Sequence, residues 1–220
     1  QDRPRTELWR SDGTPGGTVY IATPFPAPFQ QSSEIDEITG IGNIAYFVAA
    51  NGVNGVELWR SDGTAAGTSM VKDIRHGAVG SAPSNLTAIG SHLFFFADDG
   101  IHGRELWRSD GSAAGTVMAS DLKPGPVSSE PDLLTALRDT AYFVADNGTN
   151  GRELWRSDGT AAGTVIVKDI LPTGSSNPRQ LTTSEDWLYF FAGDSVSLNP
   201  YRTNGTAAGT TRMAIIQYND

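Results

Sequence analysis

Clusters of amide and carboxylate side chains recur along the chain, at residues 51–55, 98–103 and 146–151, and their first members lie 47 and 48 residues apart. Amide and carboxylate groups can bond sugar hydroxyls or coordinate a cation, although plain turns explain the same composition. The candidate ligand-binding residues are Asn51, Asn54, Asp98, Asp99, His102, Asp146, Asn147 and Asn150.

A second set of carboxylates lies in Ser-Asp-Gly sequences, at Asp12, Asp62, Asp110 and Asp158. An Asp in this position accepts hydrogen bonds from the backbone amides that follow it, so we interpret these residues as turn residues. Calcium needs about six oxygen ligands, and this sequence offers one carboxylate plus carbonyls. The three histidines, His76, His92 and His102, occupy unrelated positions and form no ligand set. No cofactor is expected; calcium stays open.

These residues belong to a repeat. The twelve residues Glu105-Leu-Trp-Arg-Ser-Asp-Gly-Ser-Ala-Ala-Gly-Thr116 recur nearly unchanged at 7–18, 57–68 and 153–164, and a divergent copy spans 199–210. The aromatic anchors are Trp9, Trp59, Trp107, Trp155 and Tyr201, separated by 50, 48, 48 and 46 residues. Such self-similarity predicts one continuous array of structural units.

Each period contains four strand-like segments, most clearly between residues 86 and 122. Short apolar or alternating runs are separated by turn residues, and the chain has 25 Gly and 12 Pro. The second run, from His92 to Ala97, is apolar on both faces, which predicts a strand covered on both sides.

Four antiparallel strands per period predict an all-β β-propeller, because helical repeats need longer stretches without Gly or Pro, and β-helix coils are shorter. We name the strands of each blade a to d from the channel outward. The phasing predicts a single domain over residues 1–220 with five blade positions, the first holding only strands c and d. The blades are expected at about 6–23, 35–74, 84–122, 131–170 and 178–216. A fragment of a larger ring is the alternative.

Composition limits the partners. The net charge of −9 opposes binding to nucleic acid, and the absence of cysteine excludes disulfides. No apolar run is long enough to insert into a membrane. The chain opens at Gln1 without an initiator Met or a signal peptide, which favours a processed, exported product.

The segment 153–170, Glu-Leu-Trp-Arg-Ser-Asp-Gly-Thr-Ala-Ala-Gly-Thr followed by Val-Ile-Val-Lys-Asp-Ile, resembles the ELWxxDGT repeat of large exported or surface proteins of bacteria. The resemblance covers nearly the whole chain; it departs at Asn199, Pro200 and Asn204, and the first copy ends differently. It implies a secreted or cell-surface repeat module, for which the family has no assigned reaction. The blade layout is similar to kelch and five-bladed lectin propellers in architecture only.

Most repeated residues are expected to be structural. The Trp residues should pack between blades, with a sugar-stacking platform as the alternative. The arginines that follow them, such as Arg60, could pair with acids of the adjacent strand, such as Asp73. The same pairing is open to Arg108 with Asp121 and to Arg156 with Asp169.

The start of strand a differs among the copies. The aligned pairs are Asp36 and Glu37, Ser84 and Asn85, Asp132 and Leu133, and Arg179 and Gln180. Two carboxylates with a nearby arginine could form a glycosidase site at the channel mouth, although no other catalytic motif occurs.

The sequence therefore predicts a noncatalytic extracellular binding module, with multivalent, lectin-like binding of carbohydrate through repeated blade loops. Two alternatives remain. One is a structural segment of a surface protein whose partner is another copy of itself, a homo-oligomer formed through the incomplete blade. The other is a glycoside-active enzyme.

Overall fold

The computed structural model describes residues 7–22, 35–193 and 196–214, which form strands and no helix. No described helix could therefore cross a membrane. The incomplete first unit, the half-blade, has β1 (Leu8–Arg10) and β2 (Val19–Ala22). Blade 1 has β3 (Asp36–Ile41), β4 (Ile44–Ala50), β5 (Val56–Ser61) and β6 (Ser69–Lys72).

The three following blades repeat this pattern. Blade 2 has β7 (Ser84–Ile89), β8 (His92–Asp98), β9 (Arg104–Ser109) and β10 (Val117–Ser120). Blade 3 has β11 (Asp132–Leu137), β12 (Thr140–Asp146), β13 (Arg152–Ser157) and β14 (Val165–Lys168). Blade 4 has β15 (Arg179–Ser184), β16 (Trp187–Gly193), β17 (Leu198–Thr203) and β18 (Thr211–Arg212).

Every complete blade is an antiparallel sheet in which strands a to d follow one another in chain order. The inner strands of neighbouring blades pack side by side: β3 on β7, β7 on β11, and β11 on β15. A side-chain bond joins two of them, since Thr39 Oγ1 donates to the Leu86 carbonyl at 2.9 Å. This is the β-propeller arrangement expected from the repeat, with a first blade in which the described residues form only the two outer strands.

The apolar cores lie between blades, so each sheet is buried on both faces. In β8, Leu93 and Phe95 pack toward blade 1, whereas Phe94 and Phe96 pack toward blade 3. This explains why strand b is apolar at successive positions instead of alternating with polar residues.

The strand-c tryptophans belong to these interblade cores. Their side chains are almost fully buried: the exposed fractions are 8% for Trp59, 6% for Trp107 and 6% for Trp155. Each packs against apolar residues of the preceding unit. Their structural role was expected from the sequence. Trp9 of the half-blade is 52% exposed and packs edge-to-face on Tyr20.

Polar contacts reinforce the same interfaces. Arg60 Nη1 donates to the Gly111 carbonyl of the next blade at 3.0 Å, and Lys72 Nζ donates to the Thr116 carbonyl at 2.8 Å. The predicted pairing of Arg60 with Asp73 is wrong. The register places Arg60 opposite Ser69, near one end of the sheet, whereas Asp73 follows strand d at the other end.

A buried carboxylate ties each of three blades to the linker that leaves it. Glu105 is fully buried and accepts bonds from the Ser129 amide at 3.0 Å and the Ser129 hydroxyl at 2.7 Å. The equivalent pairs are Glu57 with Ser81 and Glu153 with Ser176. We call this the Glu–Ser contact. It fixes the path of the chain from strand d of one blade to strand a of the next.

Burial raises the pKa of Glu57, Glu105 and Glu153, although the serine bonds oppose the shift; for Glu105 the pKa rises to about 7. Between pH 4.5, the ordinary pKa of the Glu105 carboxyl, and about pH 7, the folded chain thus retains a proton on Glu105 that the unfolded chain has lost. A protonated carboxyl can still accept the amide bond while its O–H serves as a donor.

We predict that Trp107→Ala lowers the free energy of unfolding by about 3–5 kcal/mol, because it leaves a cavity between two sheets. The matched change Trp9→Ala should cost less than about 1 kcal/mol, because Trp9 lies largely in solvent. Urea denaturation followed by far-UV circular dichroism measures both. Equal losses would contradict the interblade role of the buried tryptophans.

We also predict that the chain loses stability as the pH rises from 4.5 to 7. The folded state binds more protons than the unfolded state in that window, so the free energy of unfolding falls, by up to about 3 kcal/mol for Glu105 alone. Denaturation midpoints at a series of pH values test this.

Glu105→Gln should make the pH profile less steep, because an amide does not titrate there while Glu57 and Glu153 keep their contributions. Glu7→Gln, the same change at the exposed equivalent in the half-blade, should leave it as in the unaltered protein. A stability that rises across the window, or an equal effect of both substitutions, would show that the Glu–Ser contact does not bind the extra proton.

Candidate functional site

The strand order assigns the connections to two opposite faces of the propeller. Strands a and c run in one direction and strands b and d in the other, so the b–c loops, the linkers between blades and the starts of strand a share one face, the loop face. The a–b turns and the Ser-Asp-Gly turns lie on the opposite face, the turn face. The predicted ligand-binding residues therefore lie on the loop face, away from the Ser-Asp-Gly turns.

On the turn face, the aspartates of the motif close their own turns. Asp110 Oδ1 accepts bonds from the Ser112 amide at 2.8 Å and the Ser112 hydroxyl at 2.7 Å, and these bonds lower the pKa of Asp110. A side chain on Gly115 would collide with the Asp110 carboxylate, which explains the second glycine of the motif. Asp12, Asp62 and Asp158 make the same bonds.

The same turn needs no ion to hold its shape. Ser109 Oγ lies 2.7 Å from Thr116 Oγ1 across the two strand ends, and Thr116 Oγ1 also donates to the Ser112 carbonyl. Within residues 7–22, 35–193 and 196–214, no group of three or more His, Asp or Glu side chains could hold a metal.

One residue of each polar cluster, namely Asn51, Asp99 or Asn147, stabilises its own b–c loop. Asn51 Oδ1 accepts the amides of Val53 and Asn54, and Asn147 Oδ1 does the same two blades further on. Asp99 takes this position in blade 2, accepting the amides of Ile101 and His102. These oxygens are therefore engaged in loop structure.

The residue three positions after it faces the end of strand d in blades 1 and 3. Asn54 Nδ2 donates to Asp73 Oδ2 at 2.7 Å, and Asn150 Nδ2 donates to Asp169 Oδ2 at 2.9 Å. His102 replaces the amide in blade 2; its Nδ1 lies 2.7 Å from Asp99 Oδ2, and this bond raises the pKa of His102.

Asp98 and Asp146 form ion pairs with the linkers that precede their blades. Asp98 Oδ2 lies 2.7 Å from Arg75 Nη1, and Asp146 Oδ2 lies 3.1 Å from Lys123 Nζ. All eight candidate residues thus contact their own loop or an adjacent linker. Their exposed edges remain the part available to a ligand.

The starts of strand a form a second polar surface on the loop face, which we call the channel mouth. Its second residues have left-handed backbone in all four blades: Glu37 (φ 49°), Asn85 (φ 58°), Leu133 (φ 58°) and Gln180 (φ 55°). A break in the a–b register accompanies each one. A left-handed non-glycine residue costs about 1 kcal/mol or more, so four equivalent ones indicate a constraint built into the inner strand.

The side chains at the channel mouth are mostly exposed and differ from blade to blade. Asp36, Asn85, Asp132, Arg179 and Gln180 are exposed. Two strand-c arginines reach this surface: Arg104 donates to the Ala82 carbonyl and the Ser84 hydroxyl, and Arg152 Nη2 lies 3.6 Å from Asp132 Oδ2. Within the part of the chain that the structure describes, the Gln180 amide and Asn85 Nδ2 have no hydrogen-bond partner.

Sequence reasoning identified the variable pairs at the channel mouth, but it missed the Glu–Ser contacts and the left-handed backbone. The Glu–Ser contact leaves a trace in the sequence, since the serine follows the glutamate by 24, 24 and 23 residues. The left-handed backbone leaves none, because Glu, Leu and Gln are not typical of that conformation.

No family model matches the chain, and no curated protein resembles it in sequence. Solved structures resemble its fold. A prolyl endopeptidase aligns over 96% of this chain and 31% of its own length, at 15% identity and a TM-score of 0.59. A puromycin hydrolase aligns over 92% of this chain and 32% of its own, at 14% identity and a TM-score of 0.56.

A puromycin-hydrolyzing peptidase of Mycobacterium tuberculosis aligns over 90% of this chain and 30% of its own, at 13% identity and a TM-score of 0.50. The chain thus spans about a third of the length of these proteins. At such identity the likeness concerns the propeller fold and extends to neither the activity nor the substrates of those enzymes.

Proposed function

We propose that this chain is a noncatalytic binding module of a bacterial exported or surface protein of the ELWxxDGT type, with extracellular carbohydrate as its first ligand class. The loop face is the binding surface. Its channel mouth makes the principal contacts, and the b–c loops surround it.

The observation that supports this proposal is the chemistry of the channel mouth. Its exposed amides, carboxylates and guanidinium group can both donate and accept, as neighbouring sugar hydroxyls require. The left-handed backbone holds these side chains at equivalent positions of adjacent inner strands, so little ordering would accompany binding.

This geometry favours one asymmetric site near the propeller axis over a set of identical sites. The residues that repeat from blade to blade, such as Asn51 and Asn147, are bonded within their loops. The residues that differ, such as Asn85 and Gln180, retain unpaired amide groups within the described residues. A single site would bind with the affinity of its own contacts, without the gain that multivalency brings.

A second candidate function is that of a structural segment which associates with another polypeptide, including a second copy of itself. Its support is the exposure of Trp9 on the half-blade, at a position that other blades bury. Large exposed aromatic side chains are frequent at protein–protein contacts.

We predict that the chain binds oligosaccharides on a glycan array and that the double change Asn85→Gly and Gln180→Gly weakens this binding at least tenfold. Glycine removes the two amides and accepts the left-handed backbone without strain, so the fold should be retained. Thermal denaturation checks that it is.

The matched control removes an equivalent polar group from the rim, by Asp99→Ala. A greater loss from this change than from the double glycine variant would move the site to the b–c loops. If the unaltered protein binds no glycan while its mass rises with concentration in sedimentation experiments, the structural candidate replaces the carbohydrate proposal.

A further inference from the structure

Asn-Gly pairs occur in the chain at Asn51, Asn54, Asn147, Asn150 and Asn204. Because glycine lacks a side chain, its amide nitrogen can approach the side-chain carbonyl carbon of the preceding asparagine with little steric hindrance. When these two atoms bond, ammonia leaves and a cyclic imide forms, which water opens to aspartate or isoaspartate. The surroundings of each pair decide how fast this reaction proceeds.

Packing and hydrogen bonding hold three of these glycines in place. Gly55 and Gly151 abut the linkers of their own blades, where an added side-chain carbon would lie 2.3 and 2.6 Å from linker atoms, so neither glycine can turn towards its asparagine. Gly205 is buried, and its amide donates to a threonine hydroxyl at 3.0 Å. The pairs at Asn51 and Asn147 have no such packing restraint.

The asparagine side chains of these two pairs have matched surroundings. Each Oδ1 accepts two backbone amides, at 3.0 and 2.8 Å for Asn51 and at 3.0 and 2.9 Å for Asn147. Each Nδ2 donates to the asparagine three residues later, at 2.8 and 2.9 Å. The following glycines are exposed and have the same backbone conformation, with φ 75° for Gly52 and φ 77° for Gly148.

The glycine amide distinguishes the two pairs. Gly148 N donates to Asp146 Oδ1 at 2.7 Å, and blade 2 has the equivalent bond to Asp98, also at 2.7 Å. Blade 1 has Ala50 at this position, the last residue of strand b, so the carboxylate is missing there. Within residues 7–22, 35–193 and 196–214, Gly52 N has no hydrogen-bond partner.

We propose that Asn51 is a site of spontaneous deamidation and that Asn147 is its protected counterpart. The Gly52 nitrogen loses its proton to solvent and bonds to Cγ of Asn51. Negative charge develops on Oδ1, where the amides of Val53 and Asn54 stabilise it as an oxyanion hole does. The Cγ–Nδ2 bond then breaks, Nδ2 takes up a proton and leaves as ammonia, and water hydrolyses the imide.

The carboxylate of Asp146 opposes the first step of this reaction at Asn147. Its hydrogen bond has to break before the Gly148 nitrogen can turn towards Cγ, and its negative charge disfavours the loss of a proton from that nitrogen. Ala50 imposes neither barrier in blade 1. The same loop therefore reacts at different rates in two blades.

Blade 2 shows that the fold accepts the aspartate product. Asp99 occupies the position of Asn51 and accepts the same two amides, from Ile101 and His102. Isoaspartate instead carries the main chain through the side-chain carbons, which lengthens the loop and displaces the acceptor. Deamidation of Asn51 thus adds a negative charge to the loop face in both products and changes the loop backbone in one of them.

Incubation of the unaltered protein at mildly alkaline pH, followed by peptide mapping with mass spectrometry, tests the proposal. Fragment spectra separate Asn51 from Asn54 and Asn147 from Asn150. We expect deamidation at Asn51 to be at least about tenfold faster than at Asn147. Labelling with an isoaspartyl methyltransferase should follow the same time course.

Two exchanges between blades should transfer the difference. Ala50→Asp should slow the reaction at Asn51 at least about fivefold, and Asp146→Ala should accelerate the reaction at Asn147 by a similar factor. Each exchange introduces a residue that another blade already has, and thermal denaturation checks that the fold is retained. Glu130→Ala, which removes an exposed carboxylate from the same face where blade 2 has alanine, should leave both rates unchanged.

Equal rates at Asn51 and Asn147 would overturn the inference, as would rates that neither exchange alters. A faster reaction at Asn147 would do so as well, because Asp146 would then act as a base on the glycine amide. So would an Asn51 that stays intact while an Asn-Gly model peptide is converted. None of these measurements involves carbohydrate, so failure of the carbohydrate proposal leaves this test unaffected.

Discussion

Burial of both faces of every sheet between its neighbours is the constraint on which this structure depends. A four-stranded sheet of this size has no core of its own. Leu93 and Phe95 on one face of β8 belong to one interblade core, and Phe94 and Phe96 on the other face belong to the next. The strand-c tryptophan adds the largest single side chain to the first three of these interfaces, and Tyr201 takes its position between blades 3 and 4. Position in the array therefore decides whether a given tryptophan is structural or exposed.

The polar part of the repeat serves the same constraint. The Ser-Asp-Gly turn satisfies its own hydrogen bonds, so it can project from the sheet without a partner. The Glu–Ser contact, in contrast, buries a carboxylate whose hydrogen bonds hold the linker in place. Burial raises the pKa of Glu105 while hydrogen bonds lower that of Asp110, so the pKa values of two acids of one motif shift in opposite directions.

Function on this fold has to come from residues that the repeat leaves free. The eight rim residues predicted from the sequence all contact their own loop or a linker, so their role in binding stays a prediction. The channel mouth differs because adjacent inner strands bring together side chains from four separate blades, such as Asp132 and Gln180. The half-blade differs because a repeated residue, Trp9, lacks its usual cover.

The sequence by itself determined the number, order and type of the strands, because hydrophobic periodicity, turn residues and a fixed repeat are local properties. It also determined that Asp110 and its equivalents close turns, since a carboxylate two residues before an amide makes that bond within one short segment. The predicted pairing of Arg60 with Asp73 failed because strand register decides which residues stand opposite each other, and the register beside the Ser-Asp-Gly turn places Arg60 opposite Ser69. Only the tertiary structure could reveal that Glu105 meets Ser129, that Gln180 lies in left-handed backbone, and that Ile38 is exposed. Each of these depends on what a neighbouring blade places beside the residue, and side chains that are identical in sequence then differ in burial, charge and role.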